Sequence, residues 1–598
     1  MMRTSIGRVV AIDNLSIKVE LFEKYISSYT ISEGSPIRIG GVGNIVTCSH
    51  FVYQIVSENI VEMKENYVFE KRVINCQILG YIKHGEYFEG TDGDTPNIYD
   101  IVYMADEDIL KRVYSNVAAE INATIGYYTM MQNIKFEFDI DSVFASHILI
   151  VGNTGSGKSN TVAKIYESLF DIDELDFKKS KFLVIDTNGE FGDSFTSDDN
   201  LKKIIDASDE IDGLKIPIQY IDEDNWGLIL DATEKTQFPV IKSVMKKLKN
   251  MFEGKISVNS VVTDYINYCI KTIISSPVQP NQRLLTLEKI VNSQNEILDV
   301  DGCNLFMNTL GKYTINNGRI TDESVSSFVD LSKNLEDELC AISLFNKSKF
   351  DVYTFSYLLH LEYLIRVYKY NVIDNNISPM MSRMANKTDL LNKHLIPFYG
   401  ATKKITEFID DLFENKPLLI VNMESCPKEL KTLFVSLLAE KIYVYAVKKK
   451  KRRGRGTYHL IIEEAHNFLS KKDTSKEDAL YDNCLNLFEK IIKEGRKYGL
   501  FMTISTQRPS EITETIISQT HNFFIHKLVN PKDVMIIKSA VPFIDEMSYK
   551  MLPILSPGQC IVTGTAFKRP NLVQIDMPVN EVHSQTIKLS KIWRRNKC

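Results

Sequence analysis

Gly152-Asn153-Thr154-Gly155-Ser156-Gly157-Lys158-Ser159 fits the pattern G-x-x-x-x-G-K-[ST], and this stretch constrains the fold of the 598-residue chain most tightly. Its glycines let consecutive backbone N–H groups turn inward into an anion nest, a conformation that Cβ-bearing residues reach only at a cost. The apolar run His147–Val151 leads in and the helical stretch Ser159–Phe170 leads out, so the helix presents its positive N-terminus to the same anion. Lys158 can then reach β- and γ-phosphates, and the Ser159 hydroxyl can ligate Mg²⁺. A nucleoside triphosphate is the expected ligand.

The rest of the chain supports an α/β fold around that loop. Apolar runs recur at Lys181–Asp186, Pro417–Asn422, Tyr458–Ile462, Phe501–Ser505, Asn522–Lys527 and Gln559–Val562, most of them separated by helical patterns. Strands apolar on both faces that alternate with helices predict a parallel sheet covered on both sides. Between 240 and 405 the pattern turns helical, as at Val240–Met251, Val261–Ser275 and Val352–Tyr368, and predicts a helical insertion packed on the sheet. Ahead of the core, Ile6–Ile12, Leu15–Leu21, Pro36–Ile39, Gly43–Thr47, Phe51–Val56 and Val73–Leu79 are short β-rich runs, as in a small barrel. The expected organisation is a barrel over 1–115, a core over 125–240 and 406–578, a helical insertion over 241–405 and a basic tail over 579–598.

Composition removes several alternatives. Hydrophobic residues make up 44% and charged residues 25% of the chain, as in ordinary globular proteins, which excludes disorder and collagen-like or coiled-coil folds. A net charge of −6 at pH 7 excludes a uniformly basic nucleic-acid coat, though not local basic patches. Nine cysteines without a C-x-x-C pair argue against a disulfide framework or a zinc module. The start MMRTSIGRVVAIDN lacks a signal-peptide layout, and no apolar run approaches the ~18 residues of a membrane span. A cytoplasmic, multidomain protein is expected.

Three further segments bear on chemistry. Tyr458–Ile462 runs into Glu463 and Glu464; the first acid can hold Mg²⁺ and the second can polarise an attacking water. Neighbouring residues of a strand face opposite ways, so two such roles require the chain to be leaving the strand here. Phe501–Ser505 runs into Thr506 and Gln507, and Gln507 is the candidate for sensing the γ-phosphate or its water. Arg496 follows an amphipathic helix with Leu485, Phe488, Ile491 and Ile492 on one face. It is either a solvated surface cation or one delivered to a neighbouring subunit's nucleotide.

Taken together these residues resemble the HerA-type ATPases, relatives of the FtsK translocases. The resemblance runs through Gly152–Thr161, Ile185–Phe191, Ala232–Gln237, Ile461–His466, Glu494–Gly499, Ser505–Pro509 and Leu555–Gly558. It implies a RecA-like P-loop ATPase core with an N-terminal HAS barrel, in a homo-hexameric ring around double-stranded DNA with ATP at subunit boundaries. By the same resemblance the loop residues through Asn160 bind nucleotide, Asp186 and Glu190 lie near it, and Arg496 is an arginine finger in trans. The family usually carries Asp where Glu463 stands, one methylene longer.

Sequence-blind movement along DNA needs cations on phosphates, and the run Lys448–Arg455 could line such a channel. The Lys588–Lys597 tail, with Trp593, is either a subunit strap or a solvated end. No nuclease-like carboxylate–lysine cluster and no second Gly-rich dinucleotide fingerprint stands out. The family resemblance therefore implies a separate effector, a NurA-type or other nuclease or a sirtuin-like NADase, docking on the barrel for DNA end processing or antiphage defence. The alternative is an ATP-binding ring scaffold that assembles and activates such an effector with little helicase activity of its own.

Overall fold

The computed structural model describes residues 4–582 except 14, 24–28, 33–34, 39–40, 42, 64–68, 115–119, 130, 293–296, 373, 402, 452–455, 471–478, 542–543, 545 and 581. The chain divides into two compact units. The first holds Met1–Leu175, Ser505–Ser510 and Ile517–Val582, and the second holds Asp176–Ile504, Glu511–Ile516 and His583–Cys598.

In the first unit, six strands close into a barrel in the order Ser16–Leu21, Ser5–Asp13, Ile101–Met104, Ile45–Cys48, Phe51–Met63 and Phe69–Lys83. Closure comes from antiparallel pairing of the first with the last, Ser16 facing Gln77 and Glu20 facing Val73. Period-two patterning produces the closed interior: Ile17, Val19 and Leu21 point inward along one strand, where they meet Ile6, Val46, Ile74 and Val102. A short strand, Glu86–Glu89, extends Phe69–Lys83 as a hairpin, and Arg569 ties this hairpin to the rest of the unit by donating to the Tyr87 hydroxyl at 2.6 Å.

The remainder of the first unit is a sheet ordered Met131–Asp139, Asn122–Tyr128, Asn571–Ile575, Gln559–Gly564, Asn522–Ile525 and Ile148–Val151. Here the expectation of a parallel sheet needs correction. Only Ile148–Val151 with Asn522–Ile525 is parallel, and the other four pairings are antiparallel. For two of the four the reason lies in the connections. Asn122–Tyr128 joins Met131–Asp139, and Gln559–Gly564 joins Asn571–Ile575, through links too short for a crossover helix.

The second unit carries the parallel half: Leu500–Thr506, Tyr458–Ile462, Lys181–Asp186, Leu418–Asn422 and Lys202–Asp206, neighbours in that order. The first three of these strands are buried along their whole length, as their mostly apolar composition suits. Its helical segment includes Phe238–Phe252, Val258–Ser275, Val352–Tyr370 and Ser378–His394. Trp226 stacks on Phe355 with centroids 3.9 Å apart, which anchors that segment to the helix Glu223–Leu230. The segment is not wholly helical, because Tyr313–Asn316 and Arg319–Asp322 form a hairpin across Asn317-Gly318. No helix among the described residues is long and apolar enough to cross a membrane.

Candidate functional site

The first unit builds the phosphate loop. The strand Ile148–Val151 is fully buried and delivers the chain to Gly152, whose N–H donates to the Thr506 carbonyl at 3.4 Å. Gly155 and Gly157 have φ of +73° and +108°, backbone states that side chains disfavour. A Cβ on Gly157 would also lie 3.0 Å from the Gly558 nitrogen, and Gly558 in turn donates to the Ser156 carbonyl at 2.9 Å. Asn153 is held from both sides: its N–H donates to the Lys527 carbonyl at 2.9 Å and its side-chain oxygen accepts from Val529 N–H at 3.2 Å. Lys158 opens the helix Lys158–Phe170 and is 6% exposed, with Nζ 3.4 Å from the Asn153 carbonyl. Ser159 and Asn160 follow in the first turn, where Asn160 Nδ2 contacts Met577 Sδ at 3.4 Å.

Two residues that the sequence reading overlooked support the loop and the helix that follows it. His526 is fully buried, and burial, reinforced by the nearby Lys158 charge, lowers its pKa to about 3, so the ring is neutral. Its Nδ1 lies 2.9 Å from the Gln559 carbonyl, which can only accept, so Nδ1 carries the proton and Nε2 accepts from the Thr161 hydroxyl at 2.9 Å. Glu167 is the second. Its carboxylate takes the N–H groups of Val579 and Asn580 at 2.9 and 3.0 Å and pairs with Lys164 at 2.9 Å. Burial pushes this carboxyl up, but the Asn580 N–H, Lys164 and the Val579 N–H outweigh it and hold the pKa below the usual range. A Glu167→Ala variant strands these donors, and is expected to cost about 1–3 kcal/mol of stability in denaturant unfolding.

Gln507, at the end of Leu500–Thr506, meets the loop directly, with the Thr154 hydroxyl donating to Gln507 Oε1. The γ-phosphate sensor anticipated from sequence is therefore in contact with the phosphate loop within the first unit.

The acidic pair belongs to the second unit. The strand Tyr458–Ile462 ends immediately before Glu463, and Glu464 sits at φ +46°, so both acids stand in the turn by which the chain leaves the strand. Glu463 accepts from Thr187 Oγ1 at 3.0 Å and Asn188 Nδ2 at 3.1 Å. Burial, followed by Glu190, Asp186 and Glu464, pushes its pKa up to about 8. Glu464 Oε2 lies 3.2 Å from His466 Nδ1. Asp186 uses both oxygens to accept the N–H groups of Glu190 and Phe191 at 3.0 and 2.9 Å, so it shapes the turn that carries Glu190. This mutual repulsion among carboxyl groups suits a divalent cation. Among the described residues no three or more His, Cys, Asp or Glu side chains enclose a metal position.

Arg496 stands in the turn Gly495–Tyr498 after the helix Ala479–Glu494, whose Phe488, Ile491 and Ile492 are buried as the amphipathic pattern required. Its side chain is exposed and has no partner among the described residues. Of the basic run, Lys448–Lys451 close the helix Lys428–Lys451, while Arg452–Arg455 and the Lys588–Lys597 tail lie outside the described residues.

A family model of the helicase HerA central domain matches residues 123–442, more than half of the chain. The chain belongs to the HerA helicase family. It is a P-loop ATPase of the helicase and translocase type. It is 24% identical over 498 residues to a Methanocaldococcus jannaschii protein named as a probable helicase, covering 83% of this chain and 74% of that one. It is 22% identical over 512 residues to the DNA double-strand break repair helicase HerA of Pyrococcus furiosus, covering 85% and 78%. Among solved structures, VirB4 of Thermoanaerobacter pseudethanolicus matches 77% of this chain and 97% of its own at 11% identity and a TM-score of 0.38. The plasmid coupling protein TrwB with a non-hydrolysable GTP analogue matches 80% and 95% at 11% identity and a TM-score of 0.41.

Proposed function

We propose that this HerA-family ATPase is a homo-hexameric ring motor that uses ATP hydrolysis to move on double-stranded DNA in the cytoplasm, beside a separate effector docked on its N-terminal barrel. The contact between Thr154 of the phosphate loop and Gln507 carries this reading, because it joins the triphosphate cradle to the side chain we assign to registering the γ-phosphate. Gly152–Asn160, with Lys158 foremost, hold the triphosphate. Glu464 takes the proton of the attacking water, with Asp186 and Glu190 shaping the surroundings. Ser159 and Glu463 would hold Mg²⁺, which when bound neutralises charge on the phosphates. Arg496, exposed and unpartnered among the described residues, reaches the nucleotide of an adjoining subunit. The effector is a nuclease or NAD-consuming enzyme serving DNA end processing or defence.

The test is subunit mixing. Lys158→Ala rings keep the donated arginine but lose their own pocket, and Arg496→Ala rings keep the pocket but lose the arginine. Each alone is expected to be inactive in phosphate release, and the mixture is expected to regain activity that neither possesses. A mixture as inactive as its parents removes the shared pocket.

A further inference from the structure

The turn that presents Arg496 is gripped from both ends of the basic run. On the entry side, Lys450 at the end of the helix Lys428–Lys451 donates from Nζ to the Lys497 carbonyl and lies 5.3 Å from the centre of the Tyr498 ring. Two turns earlier on the same helix, Tyr443 donates its hydroxyl to Glu494 Oε2 at 3.0 Å and packs edge-on against Tyr498 with centroids 5.8 Å apart. On the exit side, Tyr458 N–H donates to the Gly499 carbonyl at 2.8 Å. A Cβ on Gly499 would lie 2.8 Å from the Gly456 carbonyl, so the approach there is as close as backbone permits. The short turn therefore has contacts at Glu494, at the Lys497 carbonyl, at Tyr498 and at Gly499, while the Arg496 and Lys497 side chains are exposed.

We propose that Lys450 is a positioning residue for Arg496, and that it couples phosphate contact by the cations at the end of its helix to ATP turnover. This rests on the reading of Arg496 as the cation supplied to a neighbouring nucleotide. The physical basis is local. A charge-assisted hydrogen bond to a carbonyl of the turn, backed by a cation–π contact, fixes the backbone on which the guanidinium is mounted. Lys448 and Lys450 are exposed beside the exposed Lys497 and Arg496, so a DNA backbone drawn to this helix end would bear on the Lys450 contact.

The experiment compares full-length wild type, Lys450→Met, Lys450→Arg, Arg496→Ala and the Lys450→Met/Arg496→Ala double variant in steady-state ATP hydrolysis, with and without linear duplex DNA. Lys450→Met keeps the apolar stem and is expected to lower the DNA-stimulated kcat about tenfold with KM for ATP unchanged, Lys450→Arg to restore it, and the double variant to fall no further than Arg496→Ala. Tyr443→Phe, which removes only the hydroxyl to Glu494, is expected to lower kcat in the same direction. Wild-type kcat in Lys450→Met, or an additional loss on top of Arg496→Ala, overturns the proposal. Wild-type kcat in Arg496→Ala overturns instead the reading of Arg496 on which it stands.

Discussion

A Lys158→Ala variant is expected to lose ATP hydrolysis by at least about 10²-fold, the scale on which preorganised electrostatic contacts to a reacting group act. The amine is nearly buried at the first residue of the helix, and its position is set by the Asn153 carbonyl and by a loop whose own ends are fixed by Lys527, Val529 and Gly558. Alanine removes the charge without disturbing those backbone contacts, so the thermal midpoint should remain near that of the wild type while phosphate release disappears. Retained hydrolysis would discredit the loop as the triphosphate site.

The second large effect is expected at Glu464. Glu464→Gln keeps the size of the side chain beside His466, but removes the basic oxygen. The loss should fall in the range of about 10²–10⁴-fold that general-base catalysis supplies. Nucleotide should bind and remain, which filter or fluorescence binding would show as undiminished ATP occupancy beside absent turnover. This variant also separates the motor from a scaffold. If an effector remains active beside the nucleotide-locked ring while movement on DNA stops, ATP serves assembly more than motion.

Much of this was legible in the sequence because the physics was local. The phosphate loop needed only its glycines and the flanking apolar run, and the acidic pair needed only a strand that ends, which the φ of Glu464 makes explicit. Five of the barrel strands were readable from period-two patterning, whereas the short strands Glu86–Glu89 and Ile101–Met104 carried too little of it. The expected run at Pro36–Ile39 corresponds to Ser35–Arg38, which pairs with Tyr29–Ser32 in a separate two-stranded sheet. His526 and Glu167 were not legible, since their work depends on Thr161, Gln559, Val579 and Asn580, partners that only the fold brings near. The antiparallel part of the core was missed because buried strands look alike in either direction, and link length decides only for the two pairs joined by short turns. The hairpin at Asn317-Gly318 could have been found: that dipeptide between Tyr313–Asn316 and Arg319–Asp322 is a strong turn signal.

The left-handed backbone at Glu464 has an evolutionary corollary. A residue with a Cβ gives up roughly 1–2 kcal/mol to stand in that conformation, and glycine is the replacement that relieves it most completely. Glycine would also discard the carboxylate. If Glu464 is the base proposed above, selection for a hardier protein is barred at this position, where the chain stays slightly uncomfortable in exchange for a carboxylate.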